Sequence, residues 1–509
     1  MSATVASRPS ALDRVPPEIL NHIFTLGSGP ISFNDIKPFP LLISQVCGRW
    51  RDIALANSRL WTTISCTRDA PRFPILKLLL ERSHTQPLNL YFDFTSPKDY
   101  IETYPCPAAR HPITEHHPFA DEEYESPFYL TDTDKVRKRL TLLTTHRPLR
   151  TYSVTSNNYS FVSLSLRSFP LGPAPHLIDF SVSYIPGYED ISRWGTVHVP
   201  LNGVAPRLES VRLRGLDLYW GASTFITGLT SLELRDHDSR VWISHPRLQA
   251  ILTSNPGLET LVLDNSGPLG VADEWPVEEV LDMRSLKRLV FARQRAEEGA
   301  AILKRLRLPA LRQLEIDLPV MGQEREEGVH DEIMRLLVPL VEKLEVLRIE
   351  EVHCSERALC AFVAALTNLR VLVVNNNEHL LGDSLSFIQH STPSTLISLL
   401  AECVHGSSPL SPAYVPRLST LVLASLNRQH IHSELDFRAP ILSTVYTSLS
   451  SASTPNPATE SIPEVDAGRT VNVGEIEWRR WCPVDDGEYG VGKIDLFDIE
   501  GLLSRVSFQ

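Results

Sequence analysis

The sequence lacks the features that mark several large classes of protein. Its first residues, MSATVASRPSALDR, contain no apolar core of a signal peptide, and no run reaches the roughly 18 apolar residues that a membrane helix needs. Its net charge is -12, which argues against the concentrated basic face that grips a nucleic-acid backbone. We therefore predict a protein of the cytoplasm, the nucleus or both, with neither a membrane nor a nucleic acid as its partner.

Cysteine is scarce and scattered. The 7 cysteines stand at positions 47, 66, 106, 354, 360, 403 and 482, and no two of them form a CxxC pair. This spacing does not indicate a disulfide framework or a redox motif. Reduced thiols that pack as small apolar side chains are the favoured interpretation.

Catalytic motifs are also missing. There is no GxSxG elbow and no credible pairing of a cysteine with a histidine. The stretch GEYGVGK at 487–493 approaches the phosphate-binding motif GxxxxGK[ST], but Ile494 stands where that motif needs a hydroxyl. Too few residues follow for the helix and the second acidic ligand of a nucleotide site. We interpret it as a glycine-rich turn; an enzyme would require nucleotide hydrolysis that depends on Lys493.

Potential metal ligands do not have the spacing of a metal site. They are His111, Glu115, His116 and His117 in a proline-rich stretch, and Cys354, Cys360, Cys403 and His405 farther along. Neither group matches HExxH or a zinc-finger pattern, and solvated loop or core packing accounts for them. The sequence therefore predicts no metal, no cofactor and no enzymatic activity.

What the sequence has in quantity is a repeated phrase, leucine-x-x-apolar-x-apolar. Hydrophobic residues make up 42% of the chain and charged residues 22%, as in globular proteins of two or more domains. The first leucines of successive phrases are mostly 21 to 33 residues apart. The phrases begin at Leu149, Leu177, Leu208, Leu229, Leu258, Leu286, Leu311, Leu344, Leu369 and Leu418.

Helix-like stretches separate these phrases, at 245–254, 277–283, 296–306, 330–341 and 356–366. One strand-plus-helix unit cannot bury its apolar strand face, whereas stacked units share a core in which each buried leucine contributes roughly 1.5 to 3 kcal/mol. Earlier in the chain, 73–83 and 134–146 are predicted helices and 87–94 a strand. The predicted fold class is α/β, a curved solenoid of parallel strands with outer helices.

The N-terminal residues 12–61 indicate three short helices with more apolar surface than fifty residues can bury alone. The motifs VPPEIL at 15–20, IF at 23–24, VCGRWRDIA at 46–54 and LW at 60–61 resemble the F-box, which docks substrate receptors of cullin-type ubiquitin ligases onto a Skp-family adaptor. The family usually has leucine where Val15 stands, and a shorter link than residues 27–40. By this resemblance, the adaptor would contact Leu12, Pro16, Glu18, Ile19, Leu20, Ile23, Phe24, Leu41, Val46, Cys47, Trp50, Ile53, Leu60 and Trp61.

The repeats resemble the irregular leucine-rich repeats that commonly follow an F-box. The family's asparagine after the strand is mostly replaced, by Leu216, His237 and Ser266, and only Asn377 fits. The predicted organisation is a disordered N-terminus (1–10), an F-box (11–66), a leucine-rich-repeat solenoid (67–440) with loop insertions near 97–127 and 393–416, a flexible linker (443–469) and a C-terminal cap or tail (470–509).

Charged side chains between the apolar strand positions form a second candidate site. Strand side chains alternate between the two faces, so these residues point away from the core, onto the predicted concave surface. They are Arg212, Arg214, Glu233, Arg235, Asp264, Glu315, Asp317, Arg348, Glu350 and Asn375. The row is basic at its start and acidic in its middle, and we predict that Arg212, Arg214 and Arg235 bind an acidic or phosphorylated segment.

The two resemblances together imply the substrate-recognition adaptor of a Skp-cullin-F-box ubiquitin ligase. The F-box would hold the Skp-family protein and through it the cullin, while the solenoid holds an unknown protein substrate near the ubiquitin carrier. The alternative is a structural scaffold that binds a Skp-family protein without ubiquitin transfer.

Overall fold

The computed structural model describes residues 14–28, 39–67, 73–95, 127–145, 148–169, 173–185, 198, 201, 205–269, 279–318, 330–350, 352, 354–375 and 420–424. The predicted disordered N-terminus, both loop insertions, the flexible linker and the C-terminal cap lie outside these residues. Within the described ranges, no helix is long and apolar enough to cross a membrane. The chain forms two compact units, of which the first contains the N-terminal helices and most of the strands.

Three short helices and a 3-10 turn form the N-terminal segment of the first unit: α1 (Pro17–Gly27), α2 (Phe39–Ile43), α3 (Gly48–Ala56) and the turn Ser58–Trp61. Helix α1 has a proline at its first position, where the missing N–H costs nothing, and an acidic residue in its first turn beside the positive end of the helix dipole. The segment has its own core of buried side chains, which are Leu20, Phe24, Ile43, Ala54, Leu60 and Trp61.

The long link between the first two helices does not separate them. Gly27, the last residue of α1, lies so near Phe39 that a Cβ there would come within 2.6 Å of the phenyl ring. Farther along, the Asn57 side chain donates to the Asn21 side-chain oxygen at 2.5 Å, and the Arg49 guanidinium donates to the Val15 carbonyl. These contacts hold α1 against α2 and α3.

Trp61 joins the helical segment to the sheet. Its indole N–H donates to the Ala54 carbonyl at 2.8 Å, and the Arg82 guanidinium lies 4.3 Å from the centre of its ring. Arg82 belongs to helix α4 (Phe73–Ser83), which packs against the turn Ser58–Trp61. The first strand, β1 (Thr63–Thr67), follows two residues later, so the sheet begins directly where the helical segment ends.

The other helices are α5 (Pro127–Thr144), α6 (Tyr159–Ser168), α7 (His245–Ser254), α8 (Ala296–Leu303), α9 (Asp331–Leu337) and α10 (Glu356–Ala365). The other strands are β2 (Leu88–Asp93), β3 (Leu149–Ser156), β4 (Asp179–Tyr184), β5 (Ser210–Arg214), β6 (Ser231–Arg235), β7 (Thr260–Asp264), β8 (Leu281–Asp282), β9 (Arg288–Ala292), β10 (Leu306–Arg307), β11 (Gln313–Asp317), β12 (Val346–Glu350), β13 (Val371–Asn375) and β14 (Thr420–Ala424).

The first unit contains a parallel sheet whose strands are neighbours in chain order, β1-β2-β3-β4-β5-β6-β7-β9-β11. The short strands β8 and β10 pair with each other in a separate parallel ribbon. In the second unit, β12, β13 and β14 pair in parallel, also in chain order. All ten repeated phrases coincide with strands, and this stacking of strand-plus-connection units confirms the predicted α/β class with leucine-rich-repeat architecture.

The repeated phrase is built on two tight turns. Before the strand, the amide of the leading leucine donates to the carbonyl three residues earlier, as in Leu177 to Ala174, Leu208 to Ala205, Leu258 to Asn255 and Leu311 to Leu308. The residue after that carbonyl is a proline in each of these four repeats, at Pro175, Pro206, Pro256 and Pro309, where a turn favours its restricted φ. The leucine itself is buried, so the turn and the core fix the same residue.

After the strand, the chain leaves through a residue with positive φ. These residues are Gly215 (66°), Asp236 (53°), Asn265 (49°) and Arg293 (52°). Each of their amides still donates to the next strand, to the carbonyls of Arg235, Asp264, Ala292 and Asp317 respectively, at 2.7 or 2.8 Å. The residue that follows, where the family has its asparagine, is fully buried as Leu216, His237, Ser266 or Gln294.

Three local predictions differ from the structure. Residues 277–283 were predicted as a helix, but strand β8 occupies part of that stretch, because its amides at 281 and 283 donate to carbonyls of the β10 segment. Strand β1 overlaps the end of the predicted F-box range, where no strand was predicted. Helix α6 lies between two phrases without any helix having been predicted there.

Candidate functional site: an exposed helical face and a charged sheet face

Helix α1 presents an apolar stripe to solvent. Ile19, Ile23 and Leu26 are 52%, 52% and 71% exposed, and their spacing places them on one side of the helix. Large exposed apolar side chains also occur at Leu42 and Val46, in and just after α2.

Helix α3 adds Leu55, which is also exposed. Five of the nine large exposed apolar side chains of the described residues thus lie in the three N-terminal helices, and a sixth, Val46, lies between α2 and α3. A concentration of this kind is typical of surfaces that bind another molecule.

The predicted adaptor contacts divide by burial. Pro16, Glu18, Ile19, Ile23, Val46 and Cys47 are exposed, and Leu41, Trp50 and Ile53 are half-buried. Leu20, Phe24, Leu60 and Trp61 are buried in the core of the helical segment and cannot face a partner, which corrects the prediction for these four. Leu12 lies outside the described residues.

The division has a simple helical cause. Leu20 and Phe24 are four residues apart and form the inner stripe of α1, where Phe24 packs 5.0 Å from the ring of Trp50. Ile19 and Ile23 form the adjacent outer stripe. Leu26, Leu42 and Leu55 were not predicted because they do not stand at F-box motif positions, although Leu26 continues the spacing of Ile19 and Ile23.

The second candidate site lies on the face of the sheet opposite the leucine core. The register places Arg212 beside Glu233, Arg214 beside Arg235, and Arg235 beside Asp264. Strand β5 therefore carries two basic residues, β6 one acidic and one basic residue, and β7 one acidic residue.

Each of the three predicted arginines has a carboxylate partner. Arg212 pairs with Asp179 at 2.7 Å and Arg214 with Asp236 at 2.8 Å. Arg235 contacts Asp264 at 3.1 Å and, at 3.4 Å, Glu233. Asp179 and Asp236 were not predicted, because Asp179 begins its strand and Asp236 lies just beyond the end of β6.

Arg293 is the centre of this network. One of its guanidinium nitrogens lies 2.5 Å from a carboxylate oxygen of Asp236 and 2.5 Å from one of Asp264. Arg293 occupies the left-handed turn after β9, and this turn aims its side chain back across the preceding repeats. The sequence signal was available: Asp236 and Arg293 follow their strands immediately, at equivalent positions of two repeats.

Partial burial and neighbouring charges shift the pKa values of two groups in this network, Asp179 and Arg293. Burial raises the pKa of the Asp179 carboxyl, and the nearby Arg212 guanidinium only partly offsets the rise. Burial lowers the pKa of Arg293, but the carboxylates of Asp264 and Asp236 raise it by more, so the guanidinium stays charged.

We define Arg212, Arg214, Arg235 and Arg293, with Asp179, Glu233, Asp236 and Asp264, as the ion-pair face.

The remaining predicted charges lie beyond the ion-pair face. Glu315 is buried and Asp317 half-buried on β11. The strands between β6 and β11 carry apolar residues at the positions equivalent to Glu233, which are Val262 on β7 and Val290 on β9. With Ala292 they form a buried cluster. Arg348 is half-buried in the second unit, and the side chains of Glu350 and Asn375 lie outside the described residues.

Other reactive groups are dispersed. Among the described residues no three potential ligands gather to hold a metal ion, and Cys47, Cys66 and Cys354 are free thiols. Burial raises the pKa of both the Cys66 and the Cys354 thiol to about 12. The stretches with His111 and Gly487 are not described.

Comparison with solved structures gives several likenesses, two of which are as follows. The chain is similar to the leucine-rich repeat-containing protein LegL7 from Legionella pneumophila (TM-score 0.31, 10% identity, 79% of this chain and 99% of that one). It is also similar to a chain of the Rad7 and Elc1 complex in yeast (TM-score 0.32, 12% identity, 81% of this chain and 91% of that one). No protein-family model and no curated protein matches. Function therefore has to be argued from the chain's own residues.

Proposed function

We propose that this chain is a substrate-recognition adaptor of a Skp-cullin-F-box ubiquitin ligase. In this proposal the N-terminal helices bind a Skp-family adaptor and through it a cullin, and the face of the sheet opposite the leucine core binds a protein substrate. The chain acts in the cytoplasm, the nucleus or both. It contributes no catalytic group, because its role is to hold the substrate near a ubiquitin carrier that other subunits supply.

The observation that carries the proposal is the exposed apolar stripe of α1, formed by Ile19, Ile23 and Leu26. These side chains stay exposed although the same helix buries Leu20 and Phe24 in a complete core of its own. The stripe therefore lies outside that core, and its removal from water by a partner would be favourable at about 25 cal/mol per Å2 of apolar area. The resemblance of residues 15–24 and 46–54 to the F-box supports a Skp-family protein as that partner.

The test is co-purification of the full chain with a Skp-family adaptor. We expect the double variant Ile19→Asp, Ile23→Asp to lose the adaptor, since two carboxylates would be buried in an apolar interface. The matched control is Val280→Asp, an exposed aliphatic side chain (49%) outside the helical segment, which should retain it. Adaptor binding that survives the double variant would contradict the proposal.

The same purification separates a ligase subunit from a scaffold. A ligase subunit brings cullin with the adaptor and supports ubiquitin transfer to a co-purified protein in a reconstituted reaction. A scaffold brings the adaptor without cullin. Nucleotide hydrolysis abolished by Lys493→Ala would instead indicate an enzyme.

A further inference from the structure

The ion-pair face is layered, with cations outside and anions inside. The Arg212 side chain is 39% exposed and its partner Asp179 23%, and Arg293 is 30% exposed over Asp236 (14%) and Asp264 (12%). The pairs made by Arg214 and Arg235 have the same order of exposure. The carboxylates therefore lie beneath, and guanidinium groups form the outer surface.

The buried carboxylates orient the arginines without using up their donors. A guanidinium has five N–H donors, and a contact with one or two carboxylates leaves others for a ligand. Arg214 and Arg293 share Asp236, while Arg293 and Arg235 share Asp264, so three guanidinium groups are held at fixed relative positions. Such a surface loses little side-chain entropy when it binds an anion.

The layer is elongated across the strands. Arg212 pairs toward β4, and Arg235 and Arg293 pair toward β7, so the guanidinium groups are distributed over three strand spacings, about 14 Å. An extended peptide that carries acids at alternate residues places them about 7 Å apart on one side. Three such acids span the same length as the layer.

We propose that the arginine layer binds an extended acidic segment of the substrate, with carboxylates at alternate residues and its chain running across β4 to β7. This inference rests on the proposed function and names the chemistry of the substrate. A single phosphate group matches the layer less well, because it is compact and doubly charged and would lie directly above Asp236 and Asp264. Single carboxylates spread over the layer avoid that repulsion.

The experiment measures binding of labelled synthetic peptides to the full chain by fluorescence anisotropy. The probe alternates glutamate with alanine; the comparison peptides alternate lysine with alanine, or carry one phosphoserine in an otherwise uncharged sequence. The variants are Arg212→Gln and Arg214→Gln, chosen because Asp236 keeps Arg293 as its partner when Arg214 is lost. The control is Arg240→Gln, an exposed arginine that contacts Asp238 at 2.8 Å outside the ion-pair face.

We expect the alternating glutamate peptide to bind and each of the two variants to weaken binding about tenfold, as for a lost charge-assisted hydrogen bond. Arg240→Gln should bind as the unaltered chain does, and circular dichroism checks that every variant is folded. The inference is wrong if the glutamate peptide does not bind, if the lysine peptide binds equally well, if the variants leave binding unchanged, or if the phosphoserine peptide binds more tightly at the same arginines.

The two proposals fail separately. Adaptor co-purification depends on Ile19 and Ile23, so it should be unaffected by the arginine variants. A chain that retains the adaptor but does not bind the glutamate peptide refutes the substrate chemistry alone. A chain that binds the peptide but not the adaptor refutes the ligase function and leaves the arginine layer as an acidic-segment receptor.

Discussion

A single backbone conformation determines which side chains can follow a strand. Asn265 leaves β7 with a φ of 49°, a region that asparagine and glycine tolerate and β-branched residues do not. Its amide donates to the Ala292 carbonyl at 2.8 Å, so the chain cannot relax without losing that bond.

We expect Asn265→Gly to change the free energy of unfolding by at most about 0.5 kcal/mol and Asn265→Val to lower it by roughly 1 to 3 kcal/mol. Urea unfolding followed by circular dichroism measures both. Thr260→Val, in the same strand but with extended backbone, is the control and should cost little. Equal stability of the two Asn265 variants would show that the turn is not strained by a β-branched side chain.

His198 is the residue with the clearest consequence for pH dependence. It is buried and lies 5.8 Å from the ring of Tyr159; burial, with a smaller contribution from Arg167, lowers its pKa to about 4. The unfolded chain therefore takes up a proton at higher pH than the folded chain does. Stability conferred by the neutral imidazole is fully present above about pH 6.5 and is lost as the pH falls toward 4.

Through His198, the free energy of unfolding should fall by up to ~3 kcal/mol between neutral pH and about pH 4. We expect His198→Phe, which keeps a ring against Tyr159, to abolish this fall. The measurement is the urea midpoint of both proteins from neutral pH down to about pH 4, the folded-state value. Parallel pH profiles for the two proteins would mean that His198 is not the responsible group.

Among the elements, helix α1 has two different faces. One face buries side chains that stabilise the fold, and the adjacent face exposes the side chains that are proposed to bind the partner. Leu20 is 2% exposed and its neighbour Ile19 52%. We expect Leu20→Ala to lower the free energy of unfolding by about 2 to 5 kcal/mol, because it opens a cavity in the helical core. Ile19→Ala should cost less than about 1 kcal/mol.

Thermal unfolding compares the two, with adaptor binding measured below both transitions. The proposed role of the helix predicts that Ile19→Ala weakens adaptor binding more than Leu20→Ala does, since only Ile19 would face the partner. A large loss of stability in Ile19→Ala would show that the outer stripe also supports the fold.

Elements with a repeated pattern were the most predictable from sequence. The strands carry a leading leucine and two inward apolar residues, and burial of these positions requires the same backbone in every repeat. The stretch 277–283 was not predictable in this way, since its strand residues are few and their pairing partner, Leu306, lies in the next repeat. Its local pattern is equally compatible with a helix turn.

At the scale of the whole molecule, Trp61 decides whether the helical segment and the sheet of the first unit hold together. Its ring is fully buried, packs under Arg82 and donates to Ala54. We expect Trp61→Ala to lower the free energy of unfolding by about 3 to 5 kcal/mol. Tyr219→Ala, an exposed aromatic residue, is the control and should have little effect.

Hydrogen exchange locates the damage of Trp61→Ala. Protection should fall both in α3 and in α4, which contact the turn Ser58–Trp61 from its two sides. Loss confined to α3 would mean that the helical segment is an independent module.

The sequence by itself determined the ten strands of the repeated phrase, the parallel α/β class and the two stretches that carry the candidate surfaces, because periodic apolar positions are a local signal repeated along the chain. Only the tertiary structure decided which residues form those surfaces. Leu20 and Ile19 are distinguished by packing against α2 and α3, and Arg293 reaches Asp236 only because stacking brings residues 57 positions apart into contact. Burial and ion pairing depend on residues that are distant in sequence and that only the fold brings together. A local sequence motif carries no information about those contacts.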